Sequence, residues 1–340
     1  MSYLLNRLTL VIIALMLISG CEITGEIVQP TMYMEEDSKD ISVYFCPRDD
    51  CEGKLSEFIL SAEKYAYCAF FDLDLEKVKS ALDSKFNSGV DVKLIVDTDN
   101  YKYAEELAFV KQDNRSAFMH SKFCVIDGVK ISSGSMNPTE NCAKKNNNNL
   151  IFIESETLAN NYETEFNEMW DNGQFGKGAL NGVSLVYLNG IKIENYFCPE
   201  DKCGDKIEDA LRGAKNEIYF MTFSFTHDGI ANVILLKEIE GVLVKGVFEN
   251  RGAGSEYSKY NVMKYQGIDV KKDTNPAVMH HKVFIIDNST VITGSFNPSN
   301  NADKSNDENV LIIHDKETAL KYLEEFDYIW NEWSKYEEDS

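Results

Sequence analysis

The chain has 340 residues, which suits one large domain or two of ordinary size. Hydrophobic residues make up 44%, enough for a sizeable core. The formal charge of −22 marks a well-solvated acidic surface with no overall basic footprint, so any nucleic-acid role requires a local basic pocket.

At the N-terminus, Arg7 precedes the apolar run LTLVIIALMLI over residues 8–18. That run is of signal-peptide length and too short to span a bilayer comfortably. It ends in Ile18-Ser19-Gly20-Cys21, which resembles a bacterial lipobox. The expectation is a lipoprotein signal peptide over 1–20, lipidation at Cys21 and a polar linker over 21–40. The protein is then exported and held to a membrane of the cell envelope, on the extracytoplasmic face. No other segment is long and apolar enough to cross a membrane.

Exported thiols tend to pair. Two stretches look alike, FCPRDDC (45–51) and FCPEDKC (197–203). Local bridges Cys46–Cys51 and Cys198–Cys203 are the first reading, and a four-cysteine zinc site shared by the two halves is the alternative. Cys68, Cys124 and Cys142 fall in or near expected strands and read as buried small residues.

The elements then come in one order, twice. Strand ISVYF (41–45) leads into the first cysteine loop, and an amphipathic helix, KLSEFILSAEKY (54–65), follows. After it come an apolar strand, YAYCAFF (65–71), a helix and a strand, VDVKLIVD (90–97). A paired strand unit around His120 follows, then strand LIFIE (150–154) and a helix ending in Trp170. The second series is IENYF, DKIEDALRGAKN, EIYFMTFSF, a helix, GVLVKGVFE, a unit around His280, VLIIH and a helix ending in Trp330. Cys46 and Cys198 lie 152 positions apart, whereas His120 and His280 lie 160 apart. Eight residues are therefore inserted in the second copy, near RGAGSEYSKY (251–260). The copies span 41–175 and 185–335, joined by the Gly- and Asn-rich DNGQFGKGALNG (171–182). Alternating strands and helices imply an α/β class with two tandem α/β/α sandwich repeats related by pseudo-two-fold symmetry.

Aligned at the histidines, AFMHSKFCVIDG (117–128) lies over AVMHHKVFIIDN (277–288). Both contain His-x-Lys-x4-Asp: His120, Lys122, Asp127 and His280, Lys282, Asp287. Downstream come Gly-Ser-x-Asn-Pro segments with Ser135 and Asn137 in one copy and Ser295 and Asn297 in the other. Side chains at i and i+2 share a strand face, and Asp-Gly at 127–128 is a hairpin signal. An imidazole, an ammonium, a hydroxyl and an amide are thus expected on one patch per copy. Such donors suit an anionic phosphoryl group. His281 aligns with Ser121 and points to the opposite face, so it reads as packing or surface.

These doubled motifs resemble the phospholipase D superfamily over nearly all of residues 41–335. The second copy, with YFMTFSFT, HHKVFIID, GSFNPS and NDENV, is especially similar to its small bacterial endonucleases. Those carry one copy and work as homodimers, so here the dimer would be fused into a monomer whose two repeats form one site. The resemblance implies a phosphodiesterase without metal or other cofactor, acting through a phosphohistidine. One histidine attacks phosphorus and the other protonates the leaving oxygen. Lys122, Lys282, Asn137, Asn297, Ser135 and Ser295 would hold the phosphoryl oxygens, while Asp127 and Asp287 of the motif would be structural.

One departure stands out. Twenty-eight residues after His280 lies Glu308, and at the same distance after His120 lies Asn148. In the family this acid tends to hold the second nitrogen of the histidine. On that basis Glu308 is expected behind His280 and Asn148 behind His120, making His280 the nucleophile. The substrate expected first is a phospholipid. An endonuclease acting on DNA or RNA is the alternative, and a catalytically weak phosphate- or lipid-binding lipoprotein is a third reading.

Overall fold

The computed structural model describes residues 33–37, 41–176, 178 and 182–332. The expected signal peptide, the expected lipidation site Cys21 and most of the expected 21–40 linker lie outside them. Tyr33–Glu36, inside the expected linker, forms strand β1. The first repeat then runs β2 (Ile41–Cys46), α1 (Cys51–Leu60), β3 (Tyr65–Phe70), α2 (Glu76–Asn87), β4 (Asp91–Val96), β5 (Val110–Gln112), β6 (Lys122–Ile126), β7 (Lys130–Gly134), α3 (Glu140–Lys144), β8 (Asn148–Glu154) and α4 (Glu156–Asn172). A short strand, β9 (Leu185–Leu188), precedes the second series. That series is β10 (Ile191–Cys198), α5 (Cys203–Arg212), β11 (Glu217–Thr222), α6 (Asp228–Ile239), β12 (Leu243–Phe248), α7 (Tyr260–Tyr265), β13 (Asp269–Lys272), β14 (Lys282–Ile286), β15 (Thr290–Gly294), α8 (Asn300–Lys304), β16 (Glu308–His314) and α9 (Lys316–Glu332).

Local chemistry shifts some boundaries from those read in the sequence. Helix α1 begins at Cys51, not Lys54, because the Asp50 side chain accepts from Gly53 N at 2.9 Å and caps the helix three residues earlier. The inserted residues build α7, where the first repeat has only a 3-10 turn at Tyr101–Tyr103.

The two sheets share one strand order. The first is β2-β8-β7-β6-β3-β4-β5, and the second repeats it as β10-β16-β15-β14-β11-β12-β13. β9 pairs antiparallel with β10, and β1 pairs parallel with β9, extending the second sheet to nine strands. The chain thus crosses the second repeat's sheet edge before it starts the first repeat, a pairing that no local pattern announces.

Alternation along the strands explains the layers. Cys68, Phe70, Leu94, Val96 and Cys124 face α1 and α2, whereas Tyr67, Ala69, Ile95, Phe123 and Val125 face α4. The strands are buried on both faces and so read as continuous apolar runs. Helices α4 and α9 occupy the space between the repeats. Tyr162 of α4 packs edge-on against Phe197 of β10 at 4.9 Å, and Tyr322 of α9 packs likewise against Phe45 of β2 at 5.1 Å. Each repeat therefore completes its inner layer with an aromatic ring of the other.

A polar seam runs through this apolar interface. Asn149 Oδ1 accepts from Thr293 Oγ at 2.8 Å and from Tyr322 Oη at 3.3 Å. Its counterpart Asn309 donates to Ser133 Oγ at 2.7 Å and Tyr162 Oη at 3.4 Å. His281, expected as packing or surface, is fully buried in the seam. Its Nδ1 accepts from Asn149 Nδ2 at 3.1 Å, and its Nε2 donates to Glu325 Oε1 at 3.2 Å. Glu325 also pairs with Arg48 from the first cysteine loop.

Three disulfides close the described chain: Cys46–Cys51, Cys198–Cys203 and Cys68–Cys124. The first two are the local bridges read from the sequence, each within its own repeat. The third corrects the reading of Cys68 and Cys124 as unbonded core residues. They are register partners on the antiparallel strands β3 and β6, a proximity that only sheet pairing creates. Cys142 is free and buried.

Two outcomes follow. By chain entropy, the bridge spanning 56 residues stabilises by about 4 kcal/mol and each bridge spanning 5 by about 2 kcal/mol. Denaturant midpoints should therefore fall further for paired Ala substitution at Cys68 and Cys124 than at Cys46 and Cys51. His281→Ser should lower stability by roughly 1–3 kcal/mol, because Glu325 loses a buried donor and Asn149 a buried acceptor. The refolded variant should keep most of its turnover.

Candidate active site

The two hairpins after the histidines set the geometry. Asp127 and Gly128 sit at φ 56° and 70°, and Asp287 and Asn288 at 50° and 51°, as a tight primed turn between paired strands requires. Both acids lie at the turn end of their strands, away from the histidines. Asp127 accepts the N–H groups of Glu63, Lys64 and Tyr65, each at 2.8 Å. Asp287 accepts those of Lys215, Asn216 and Glu217 at 2.7–3.0 Å. Burial alone would raise their carboxyls, but three amide donors each outweigh it and hold them below the usual range. They fasten the hairpin to the strand before it.

At the other end of β6 and β14 the motifs of the two repeats meet. His120 and His280 are nearly buried, and Lys122 and Lys282 more so. Each lysine donates to the carbonyl of its own histidine, Lys282 Nζ to His280 O at 2.7 Å and Lys122 Nζ to His120 O. The strands that deliver the histidines are locked across the repeats. His120 N donates to Asp307 O at 2.9 Å, and His280 N donates to Asn147 O at 2.8 Å.

The partners of the imidazoles are exchanged relative to the sequence reading. His120 Nδ1 lies 2.8 Å from Glu308 Oε2, whereas His280 Nδ1 lies 2.8 Å from Asn148 Oδ1 and 3.1 Å from Ser135 O. Glu308 does not stand behind His280. The repeats face each other, so the acid at the start of β16 reaches across the interface to the histidine of the first repeat, and Asn148 of β8 reaches the other way. Equal spacing along the chain could not reveal this crossing.

Hydrogen-bond bookkeeping assigns the tautomers. Glu308 also accepts from Ser295 Oγ at 2.6 Å and Asn306 Nδ2 at 3.3 Å. Burial would raise its carboxyl, but His120 and Lys122 lower it, and it stays ionised. His120 Nδ1 therefore carries the hydrogen and Nε2 keeps a lone pair. Asn148 Nδ2 is engaged by Cys142 O at 3.0 Å, so its Oδ1 faces His280, whose Nδ1 must donate. Both Nε2 atoms are left for the site.

Burial dominates the titration of these groups. It lowers His120 to about 4, with Glu308 opposing the shift and Lys122 adding to it. His280 is lowered well below its ordinary value by burial, then by Lys282 and Lys122, and no carboxylate opposes this. Lys122 is lowered to about 8 by burial, against Glu308. Lys282 is lowered strongly by burial and by Lys122. Two buried lysines that lower each other's affinity for a proton favour an anion beside them.

Ser135 and Ser295 do not take the expected place on a phosphoryl group. Both are fully buried. Ser135 Oγ donates to Asn148 Oδ1 at 3.1 Å and accepts Asn149 N at 3.0 Å. Ser295 Oγ donates to Glu308 and accepts Asn309 N at 3.0 Å. Their hydroxyls orient the residues that orient the histidines. The amides of Asn137 and Asn297 remain available, and each has a buried Oδ1 with no hydrogen-bond partner.

The sequence reading passed over two aromatic floors. Phe71 lies 5.0 Å from the His120 ring and 5.2 Å from Lys122 Nζ. Phe223 lies 4.9 Å from the His280 ring and 5.1 Å from Lys282 Nζ. They occupy equivalent positions of the repeat, 152 apart, the same offset that identified Cys46 and Cys198. Arg115, paired with Asp307 across the repeats, was missed because its partner is 192 residues away.

Comparisons with known proteins identify the family and the fold. The protein family described as "Cardiolipin synthase, PLD-like domain" matches residues 55–170 and again 207–330. Phospholipase D of Rickettsia prowazekii is 32% identical over 145 residues, covering 43% of this chain and 71% of that protein. The human mitochondrial cardiolipin hydrolase is 34% identical over 125 residues, covering 37% of this chain and 50% of its own. Among solved structures, the phosphatidylserine synthase of Haemophilus influenzae aligns over 85% of this chain and 86% of its own. Its TM-score is 0.63 at 14% identity, a likeness of fold. Two matches to one domain family, each centred on a His-x-Lys-x4-Asp hairpin, show that the chain belongs to the phospholipase D superfamily.

Proposed function

We propose that the protein is a phosphodiesterase that hydrolyses phospholipids through a phosphohistidine on His120. The observation that carries the assignment is the 2.8 Å contact between His120 Nδ1 and Glu308. When Nε2 attacks phosphorus, the ring carries a proton on one nitrogen and phosphorus on the other, and so becomes cationic. A buried carboxylate at Nδ1 stabilises that cation, as the acid of a triad stabilises its imidazolium. His280 faces a neutral amide, so its protonated form is the stronger acid and gives its Nε2 proton to the leaving oxygen. In the second step neutral His280 takes a proton from water, the oxygen attacks phosphorus, and the bond to His120 Nε2 breaks. Lys122, Lys282, Asn137 and Asn297 hold the nonbridging oxygens throughout.

This reverses the sequence-based assignment of His280 as nucleophile, because the reasoning follows the carboxylate and the carboxylate stands behind His120. The donor set supplies positive charge from side chains alone, which supports hydrolysis without a metal. A phospholipid substrate is supported by the relatives named phospholipase D and cardiolipin hydrolase. A lipid anchor at Cys21 would keep a monomeric enzyme of this charge beside its substrate on the extracytoplasmic side of an envelope membrane.

The test offers the mature protein labelled phospholipid vesicles and labelled single- and double-stranded nucleic acid, in EDTA. The expected result is phospholipid turnover lost in His120→Asn and His280→Asn, with trapped phosphate mapped to His120. Label on His280 would reverse the roles, nucleic-acid turnover would move the substrate class, and binding without any turnover would leave a binding protein. The pH profile gives a second check. Lys122, lowered to about 8, is cationic below that pH and neutral above it. The kcat/KM should therefore fall as pH rises through about 8, and Lys122→Arg, if it folds, should move that limb upward.

A further inference from the structure

The segment that delivers each histidine is clamped to the other repeat by side chains as well as by backbone, and the two clamps differ in chemistry. Ahead of His120, Arg115 donates to the Asp307 carboxylate of the second repeat. The positions equivalent by the 160-residue offset of the histidines are Asn275 and Asn147. There Asn275 Nδ2 donates to Asn147 Oδ1 at 2.6 Å and to Lys145 O at 3.0 Å. An ion pair on the His120 side thus stands where a neutral amide pair stands on the His280 side. The backbone bonds around them match: Asp307 O accepts His120 N at 2.9 Å, and Asn147 O accepts His280 N at 2.8 Å.

The ionic clamp gathers more of the structure. The planar guanidinium of Arg115 also donates to Phe175 O at 3.1 Å and to Phe118 O at 3.4 Å, and its Nε lies 3.5 Å from Asp113 Oδ2. Asp97 and Glu200 add to the negative field around it. Asp307 is buried and its Oδ1 accepts no hydrogen bond, so its carboxylate depends on the pairing of Oδ2 with Arg115. The residues on either side of Asp307 both bear on the imidazole. Asn306 accepts Phe118 N at 3.3 Å and donates to Glu308 Oε1 at 3.3 Å, and Glu308 Oε2 lies 2.8 Å from His120 Nδ1. A closed ring of contacts therefore runs from Arg115 through Asp307 and Glu308 to His120 and back along the chain. On the other side of the axis Asn146, the equivalent of Asn306, donates to Cys142 Sγ at 3.5 Å instead.

We infer that Arg115 and Asp307 are positioning residues of His120. Their pair fixes the segment that carries Glu308 against the segment that carries the histidine, and so sets the line along which Nε2 meets phosphorus. Neither touches the reacting atoms. This rests on the proposed role of His120 as nucleophile. Attack from a single nitrogen tolerates little displacement, since an error of about 1 Å costs on the order of a hundredfold in rate. The Asn275–Asn147 pair shows that an amide pair fits the same backbone arrangement without charge.

The experiment takes the mature protein in two variants. Asp307→Ala removes the pair while Asp113 still faces Arg115, and Arg115→Asn with Asp307→Asn rebuilds the amide pair of the other side. Turnover is read on vesicles of labelled phosphatidylcholine and of labelled phosphatidylglycerol. The low-field Nδ1–H resonance of His120 is read by NMR without substrate. Asp307→Ala should lower kcat by about tenfold or more with KM within about twofold, and should weaken or shift the His120 resonance while that of His280 stays in place. The double variant should recover most of the loss in both readouts. Wild-type kcat and an unmoved His120 resonance in Asp307→Ala would overturn the inference. Loss of both histidine resonances together, the mark of a merely structural pair, would do the same, as would a double variant no better than Asp307→Ala. Should wild type turn over neither lipid, the proposed hydrolysis is wrong, and the His120 resonance alone decides the positioning.

Discussion

Each histidine of this protein is oriented by a side chain from the other repeat, and the histidines reach the site on strands that are themselves locked across the repeats. Glu308 holds His120, Asn148 holds His280, and the backbone N–H groups of both histidines donate to carbonyls of the opposite half. Neither repeat alone has an oriented imidazole. Catalytic geometry therefore depends on the interface between the repeats, and much of the fold reads as a means of holding that interface in register. The aromatic pairs Tyr162–Phe197 and Tyr322–Phe45 supply apolar area, while the Asn149 and Asn309 networks fix the alignment, since a buried polar group shifted from its partner is costly.

Burial of the site has a price in electrostatics that the chemistry turns to use. Two lysines and two histidines share a dry volume in which every cation is disfavoured. Its low affinity for protons leaves His120 with an Nε2 lone pair at neutral pH, as a nucleophile requires. The buried carboxylate of Glu308, which touches the His120 imidazole, compensates charge where a covalent intermediate would generate it. An incoming phosphodiester supplies the remaining anion and relieves the repulsion between the lysines.

The pseudo-symmetry is broken at a few positions, and these are where the halves take different roles. Glu308 faces Asn148 across the axis, and Arg251 takes the place that Asp99 has in the first repeat. Structural positions have no such need and stay matched: the hairpin acids Asp127 and Asp287, the serines Ser135 and Ser295, and the aromatic floors Phe71 and Phe223. A single-copy chain that dimerises must place the same residue on both sides. Fusion of two copies removes that constraint.

Local pattern carried much of the architecture. The repeat offset, the doubled His-x-Lys-x4-Asp and the Cys-Pro loops determined the α/β class, the two tandem units, the four principal site residues and the two short disulfides, because each is a relation between residues close in sequence or equal in period. Only tertiary structure decided which acid stands behind which histidine, that Cys68 meets Cys124, that Ser135 and Ser295 face inward, that His281 is interior and that residues 33–36 join the second sheet. Each of these is a contact between distant segments. Sequence spacing ranks His280 and Glu308 as neighbours. Two facing repeats make His120 and Glu308 neighbours instead, because packing across an axis joins residues that chain order keeps 188 positions apart.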